Sequence, residues 1–451
     1  MPLRQAYAPA RALLTLGDDF YDPVHAADFP QATLRFRNDR AAAQVGLDQL
    51  TDAEWIAHMA RFVPLPDTLP QPLALRYHGH QFRQYNPDLG DGRGFTFAQV
   101  HGADGRLMDL GTKGSGQTPW SRSGDGRLTL KGAVREILAT EMLEALNVPT
   151  SRTLSVVETG EALDRGDEPS PTRAAVLVRL NHGHVRIGSF QRLAYHRDEA
   201  NLRRLVAYVL THLYDRPGDD PVALLELVVA RTATLAARYM AAGFVHGVLN
   251  SDNINVTGES FDYGPWRFAP TWDPGFTAAY FDHAGLYAFG RQPEAIGWDV
   301  AQFAASLRLI ADSDPLIAAL EGFGPAFQAA LPEAILWRLG RRPVDAATDR
   351  ATARVFEATL RKTAAPLDRV FFDAFATDLP AGYGPEWDDL RAALATHPLR
   401  SDRTAAYWSG DPCAMLIDEV EAIWAPIADA DDWRPLHAKI AAIRTMGAAL
   451  V

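Results

Sequence analysis

The stretch His246-Gly-Val-Leu-Asn-Ser-Asp252-Asn253, followed nine residues on by Asp262-Tyr-Gly-Pro265, decides how this chain is read. A histidine-led loop presents Asp-Asn, and a second aspartate stands two residues before a glycine. That is the layout of a kinase-like catalytic loop and its metal-binding Asp-x-Gly. A carboxamide oxygen and a carboxylate oxygen together can hold Mg²⁺ or Mn²⁺ against phosphate oxygens. One position departs from the kinase pattern. The usual base lies two residues after the histidine, and here that residue is Val248. The nearest carboxylate is Asp252, beside Asn253. The residues suit nucleotide chemistry other than ordinary phosphoryl transfer, and an Asx-rich turn capping a strand is the plainer alternative.

Working outward, residues 89–200 read as a small α/β lobe that binds nucleotide. Gly90-Asp-Gly-Arg93 precedes a strand at residues 95–100, a Gly-rich turn, and a second strand at 106–113. Lys113 closes that strand, and Gly114-Ser-Gly116 opens a loop that runs through Asp125-Gly126. Thr129 caps a helix to about Leu146 that carries Glu136 among apolar residues at helical spacing. A lysine at a strand end and a glutamate on the next helix is the kinase way of fixing a phosphate-binding ammonium. Two exposed charges are the alternative. Gly90, Gly92 and Gly126 allow close backbone approach to phosphate, as they also would in a hairpin turn. Arg179 and Arg186 flank Asn181-His-Gly-His184 and suit bidentate phosphate binding, although this chain is rich in arginine. Strands are expected at 153–158 and 174–180, with a solvated loop over 159–172.

Residues 201–340 read as a helical catalytic lobe. A long helix over 222–242 stops at Gly243 in the left-handed cap position. A short strand is expected at 254–256 and a helix over 292–309. Residues 1–88 form an N-terminal extension, with a short helix over 52–62 capped by Thr51. Residues 341–451 form a C-terminal helical extension. The fold class is therefore α+β, a two-lobed protein-kinase-like fold with extensions at both ends.

Composition bounds the function classes. Forty-four basic against fifty-six acidic residues give a net charge of −12, which opposes general nucleic-acid binding. Only four lysines occur, at 113, 131, 362 and 439, so a lysine beside a glycine-rich loop stands out. The single cysteine, Cys413, excludes a disulfide within this chain. No apolar run approaches the roughly 20 residues that span a bilayer, and the N-terminus lacks a secretory apolar region. A cytoplasmic protein without membrane partners is expected.

Taken together, the ordered motifs Tyr77-His-Gly-His-Gln-Phe82, Leu89-Gly-Asp-Gly-Arg93, Lys113-Gly-Ser-Gly116, Thr118-Pro-Trp-Ser-Arg122, Gly124-Asp-Gly-Arg127, Arg135-Glu136, His246-Gly-Val248, Asn250-Ser-Asp-Asn253, Asp262-Tyr-Gly-Pro265 and Asp273-Pro-Gly-Phe276 carry a specific likeness. The chain resembles the selenoprotein O family, also called the YdiU family, of protein adenylyltransferases with a pseudokinase-like fold. The resemblance implies ATP bound in reverse relative to kinases. AMP would pass to Ser, Thr or Tyr hydroxyls of protein substrates, this chain included, with release of pyrophosphate. It implies Asp252 as base, Asn253 and Asp262 as ligands of Mg²⁺ or Mn²⁺, and Lys113, Arg179 and Arg186 on the distal phosphates. Glu136 would orient Lys113. Gly90, Gly92, Arg93, Asp125 and Gly126 would line the nucleotide pocket. Leu249, Ser251 and Trp266 are mild departures from the family pattern, and the chain ends Met446-Gly-Ala-Ala-Leu-Val451 without the cysteine-bearing tail common in the family. Two other readings stay open: an enzyme that transfers the γ-phosphate or uses UTP with Mn²⁺, and a catalytically silent nucleotide-binding scaffold.

Overall fold

A computed structural model describes residues 7–166 and 168–451. Among the described residues the main sheet has nine strands, and every pairing in it is antiparallel. Its central order is Tyr21–Pro23, Leu73–Leu75, Thr96–His101, Leu107–Lys113, Thr172–Asn181, Arg152–Leu163, Thr33–Arg37. Ala8–Ala10 pairs with Thr96–His101, and Leu128–Thr129 with Thr172–Asn181.

The sheet is buried on both faces; the strand period of two divides the side chains of Thr172–Asn181 between them, and an irregularity between Thr153 and Ser155 puts Leu154 and Val156 on opposite faces. Val156, Ala175 and Leu177 join the core that holds Val134, Ile137, Leu138 and Met142 of the helix Leu130–Ala145. Leu154, Val176, Val178 and Leu180 point the other way, into a core with Trp55 and Met59. Those two come from the N-terminal helix Asp52–Met59. It starts at Thr51, the cap read from sequence, which forms a capping box with Glu54, and it stops three residues short of the expected Phe62, which takes φ 53°.

Thr129 caps the helix Leu130–Ala145 by accepting from Gly132 N–H at 3.1 Å. In the helical lobe, Asp220 caps Pro221–Ala242, and Gly243 ends it with φ 71°, the left-handed position for which glycine has no steric cost. Phe323–Arg338 and Gln292–Leu307 pack on that helix. Further helices follow: Ala346–Thr363, Leu367–Ala374, Asp388–Ala395, Ile417–Ala430 and Arg434–Leu450. A sheet lobe and a helical lobe meet at the segment 244–264, which gives the α+β, two-lobed, kinase-like arrangement expected.

Two local expectations are corrected. The loop expected at 159–172 is shorter, 164–171: the first strand runs on to Leu163 past a bulge at Gly160 (φ 75°), with Ala162 opposite Arg173 and Leu163 opposite Thr172. A glycine that can adopt positive φ lets the ladder absorb the extra residues. No strand forms at 254–256. Asn255 makes one isolated bridge to Arg186, flanked by Ile187 N–H to Ile254 O (3.0 Å) and Val256 N–H to Val185 O (3.1 Å), before Gly258 turns the chain. The strand of this region is Phe244–Val245, paired with Arg267–Phe268.

Candidate active site

A cavity of about 740 Å³ opens between the lobes. Gly90, Gly92, Arg93, Lys113, Asp125, Gly126, Arg179, Arg186, Asp252, Asn253 and Asp262 all line it. Glu136 sits behind Lys113, so every residue singled out in the sequence comes to one place.

Lys113 ends its strand facing the helix Leu130–Ala145, one of whose inward positions is Glu136. Lys113 Nζ donates to Glu136 Oε2 at 2.7 Å and to Tyr263 O at 3.3 Å. Both side chains are buried. Burial pulls the Lys113 ammonium below its ordinary range, opposed chiefly by Glu136. The carboxylate therefore helps keep the charge that a phosphate would meet.

Asp262 stands at φ 56°, which turns its side chain into the cavity. Arg179 Nη1 donates to Oδ1 and Arg186 Nη1 to Oδ2, each at 2.5 Å. Burial pushes this carboxyl upward, but Arg179, Arg186 and Lys113 outweigh it and hold it well below the ordinary carboxylate range. Arg186 also donates to Asp252 O (2.9 Å) and Asp91 Oδ1 (3.2 Å), and lies 4.4 Å over the Tyr77 ring. Arg179 Nε meets His184 Nε2 at 3.1 Å. The two arginines link the sheet lobe to the loop that carries Asp252 and Asp262.

Asp252 occupies the short 3₁₀ turn Ser251–Asn253. Its Oδ1 is buried without a hydrogen-bond partner. Burial raises its carboxyl to about 6, with Arg186 lowering it and Asp262 raising it further. Asn253 donates from Nδ2 to Val248 O at 3.0 Å, so its Oδ1 remains an acceptor. His246 is structural: its Nε2 meets Phe261 O at 3.0 Å, and its N–H donates to Gln292 Oε1 at 3.0 Å.

The glycines act by close approach. A Cβ on Gly90 would lie 2.3 Å from the Trp120 ring, and one on Gly126 (φ 69°) would lie 2.2 Å from the Gly116 carbonyl. Thr118 Oγ1 donates to Asp91 O at 2.5 Å and Ser121 Oγ to Gly92 O, which laces the two glycine-rich segments together. Arg165 grips Asp125 at 2.8 and 3.1 Å. Arg122, Arg127 and Arg165 add to the cationic lining. Sequence reading missed Arg165 because its segment reads as solvated loop. It also gave no role to Tyr77 and Gln81, although they belong to a motif singled out above.

The donor set bears on a metal ion. The ionised Asp262, the free Asn253 Oδ1 and the unpartnered Asp252 Oδ1 are all oxygens, which suits Mg²⁺ or Mn²⁺. No cluster of three or more His, Cys, Asp or Glu side chains suited to a metal occurs among the described residues. An ion here would complete its shell from phosphate and water, as Mg²⁺ sites in phosphoryl-transfer enzymes commonly do. No helix of the described residues is long and apolar enough to cross a membrane.

Fold and site thus define a two-lobed protein of kinase-like construction, with its ionisable groups gathered at the interlobe cleft. The family model for "Protein adenylyltransferase SelO" matches residues 3–409. The chain belongs to this SelO/YdiU family, and as an enzyme it is a protein nucleotidyltransferase. It is 41% identical over 470 aligned residues to the "Protein nucleotidyltransferase YdiU" of Synechocystis sp., covering 96% of this chain and 97% of that one. The proteins of the same description from Synechococcus elongatus and Gloeobacter violaceus are each 43% identical, covering 96% and 98% of this chain and 93% and 96% of theirs. Among solved structures, ROP2 from Toxoplasma gondii, described as a virulence factor with a protein-kinase fold and no enzymatic activity, aligns over 81% of this chain and 92% of that chain at 11% identity with a TM-score of 0.27.

Proposed function

We propose that this protein transfers AMP from ATP to Ser, Thr or Tyr hydroxyls of proteins, its own included, with release of pyrophosphate and dependence on Mg²⁺ or Mn²⁺. The observation that carries the reading is the pair Asp252 and Asp262. One carboxyl is buried with a free oxygen and raised by that burial to about 6. The other is held ionised by two arginines. Environments that push two carboxyls apart mark a division between base and charge-bearing ligand.

Asp252 Oδ1 would accept the proton of the acceptor hydroxyl as its oxygen attacks the α-phosphorus. Lys113, Arg179 and Arg186 would bind the β- and γ-phosphates, which leave together as pyrophosphate. Their fixed charges stabilise that leaving group without reorganisation during the reaction. Glu136 would hold Lys113 in place and charged. A divalent ion held by Asn253 and Asp262 would supply charge neutralisation to the phosphate oxygens. Gly90, Gly92, Arg93, Asp125 and Gly126 would enclose the rest of the nucleotide.

The test is a pair of variants read for both binding and transfer. Asp252→Ala should retain ATP binding and lose about 10²–10⁴-fold in AMP transfer, the range typical of a lost general base. Asp262→Ala should weaken metal–nucleotide binding as well. Full transfer activity in Asp252→Ala would remove the base assignment.

A further inference from the structure

Away from the interlobe cleft, a second cavity of about 190 Å³ lies where the helices Pro221–Ala242 and Phe323–Arg338 meet the segment that carries Arg400. Four arginines line it, Arg238, Arg338, Arg341 and Arg400, against one acid, Glu333, and one hydroxyl, Thr234. The chemistry described so far uses none of these residues.

The arginines are fixed parts of the wall. Arg338 and Arg341 are only 5% and 4% exposed. Arg341 Nη1 donates to Leu394 O at 3.0 Å and His397 O at 3.1 Å, and its Nη2 to Thr377 O at 2.8 Å. Arg338 Nη1 donates to Ala241 O at 2.7 Å, and Arg400 Nη2 to Trp337 O at 3.1 Å. Arg238 Nη1 donates to Asn147 O at 2.5 Å and Asn147 Oδ1 at 3.1 Å. All these acceptors are neutral. They hold each guanidinium in one orientation but cancel none of its charge. The Nε groups of Arg341 and Arg400 are buried with no hydrogen-bond partner.

Acidic side chains answer only part of this charge. Asp368 pairs with Arg338 at 2.5 Å. Asp378 stands 3.9 Å from Arg341 Nη2 and is itself in solvent. Glu333 is exposed. Burial pulls all four guanidinium groups below their ordinary range. An arginine stays protonated even so, so the wall carries more positive charge than Glu333 and Asp368 balance. Burying such charge is costly unless an anion faces it.

We propose that this recess is a second anion site, separate from the cleft, that takes a phosphate-type oxyanion. Planar guanidinium groups match phosphate oxygens in pairs. The recess has about a quarter of the cleft's volume, which suits a phosphate or diphosphate group rather than a whole nucleotide. Its place in the fold ties it to both lobes. Asn147, gripped by Arg238, follows the helix that carries Glu136. Ala241, gripped by Arg338, lies at the end of the helix that leads into the His246 loop. An anion bound between these arginines braces the two helices against each other.

The test is titration calorimetry of the full-length protein in chloride buffer, with inorganic phosphate and separately with pyrophosphate. Because the cleft is also cationic, Arg179→Gln is titrated beside the wild type to weaken binding there. Binding should persist in Arg179→Gln and weaken about tenfold or more in Arg238→Gln, the loss of a hydrogen bond to a charged group. Glu333→Gln should tighten binding about two- to fivefold, because it removes an opposing surface charge. A damaged fold does not produce such a gain, so Glu333→Gln decides the matter even if Arg238→Gln does not fold. Tighter binding of pyrophosphate than of phosphate places a diphosphate in the recess, and the reverse order a single phosphate. Binding abolished in Arg179→Gln but unchanged in Arg238→Gln and Glu333→Gln would assign it all to the cleft and overturn the second site. So would the absence of any binding at millimolar phosphate and pyrophosphate.

Discussion

Asp252 and Asp262 face one cavity from ten residues apart, and their surroundings drive them in opposite directions. Burial lifts Asp252 to about 6, while Arg179, Arg186 and Lys113 hold Asp262 well below the ordinary carboxylate range. A base must be unprotonated to accept a proton. Asp252 is therefore competent above about pH 6 and inactive once protonated below it. The kcat/KM for AMP transfer should fall on the acid side with a midpoint near that value, since this ratio reports the free enzyme. A profile flat through this range would separate Asp252 from the chemistry. Glu136→Gln gives a second expectation. The Lys113 ammonium, already lowered by burial, would lose its charged partner at 2.7 Å. ATP binding should weaken about tenfold or more, since breaking a buried pair leaves an uncompensated charge. Titration calorimetry with ATP checks this, and unchanged affinity would show that the pair does not serve the phosphates.

The glycine-rich loop and the strand pair 152–181 act together as one element. Arg165, at the end of the hairpin loop, holds Asp125 beside Gly126. Arg165→Ala should free the loop and raise KM for ATP a few-fold with kcat unchanged, because a partly exposed ion pair contributes up to about 1 kcal/mol. A fall in kcat alone would contradict a role limited to nucleotide enclosure. Much at this scale was legible in the sequence. Thr129 and Gly243 punctuate helices by local chemistry, whereas Glu136 lies across its helix from Val134, Ile137 and Met142 and is buried because that helix is covered on nearly every side. What stayed hidden depends on partners distant in sequence. The strand past Gly160 exists because its neighbour pairs across a bulge, which periodicity within one segment does not reveal. Arg165 reaches Asp125 across forty residues. Gln81 lines the cavity with Asp252 only because a hairpin from the first eighty-eight residues packs on the loop at Asn250 and Ser251. In each case the local sequence reads as an ordinary polar loop.

Over the whole molecule, the C-terminal helices return to the sheet lobe and brace the helix that carries Glu136. Arg444, on Arg434–Leu450, donates to both oxygens of the buried Glu141 at 2.8 and 2.6 Å. Lys131 pairs with Glu421 at 2.7 Å. Asp431 meets Arg173 at 2.7 Å and Arg35 at 3.0 Å, and both arginines also hold Glu158. The phosphate-binding pair Lys113–Glu136 is thereby tied to the far end of the chain. Arg444→Ala should cost about 2 kcal/mol of stability, the loss of hydrogen bonds to a charged group, read as a lower urea midpoint. An unchanged midpoint would show that this contact does not brace the lobe. The central claim, a nucleotide placed for attack at its α-phosphorus, has a direct measurement. The purified protein is incubated with ATP labelled at the α- or the γ-phosphate, with Mg²⁺ and separately with Mn²⁺, and protein-bound label is counted. Stable α-label without γ-label, lost in Asp252→Ala, is the expected result; γ-label without α-label would make the reaction phosphoryl transfer and contradict the roles given to Asp252, Lys113 and the two arginines.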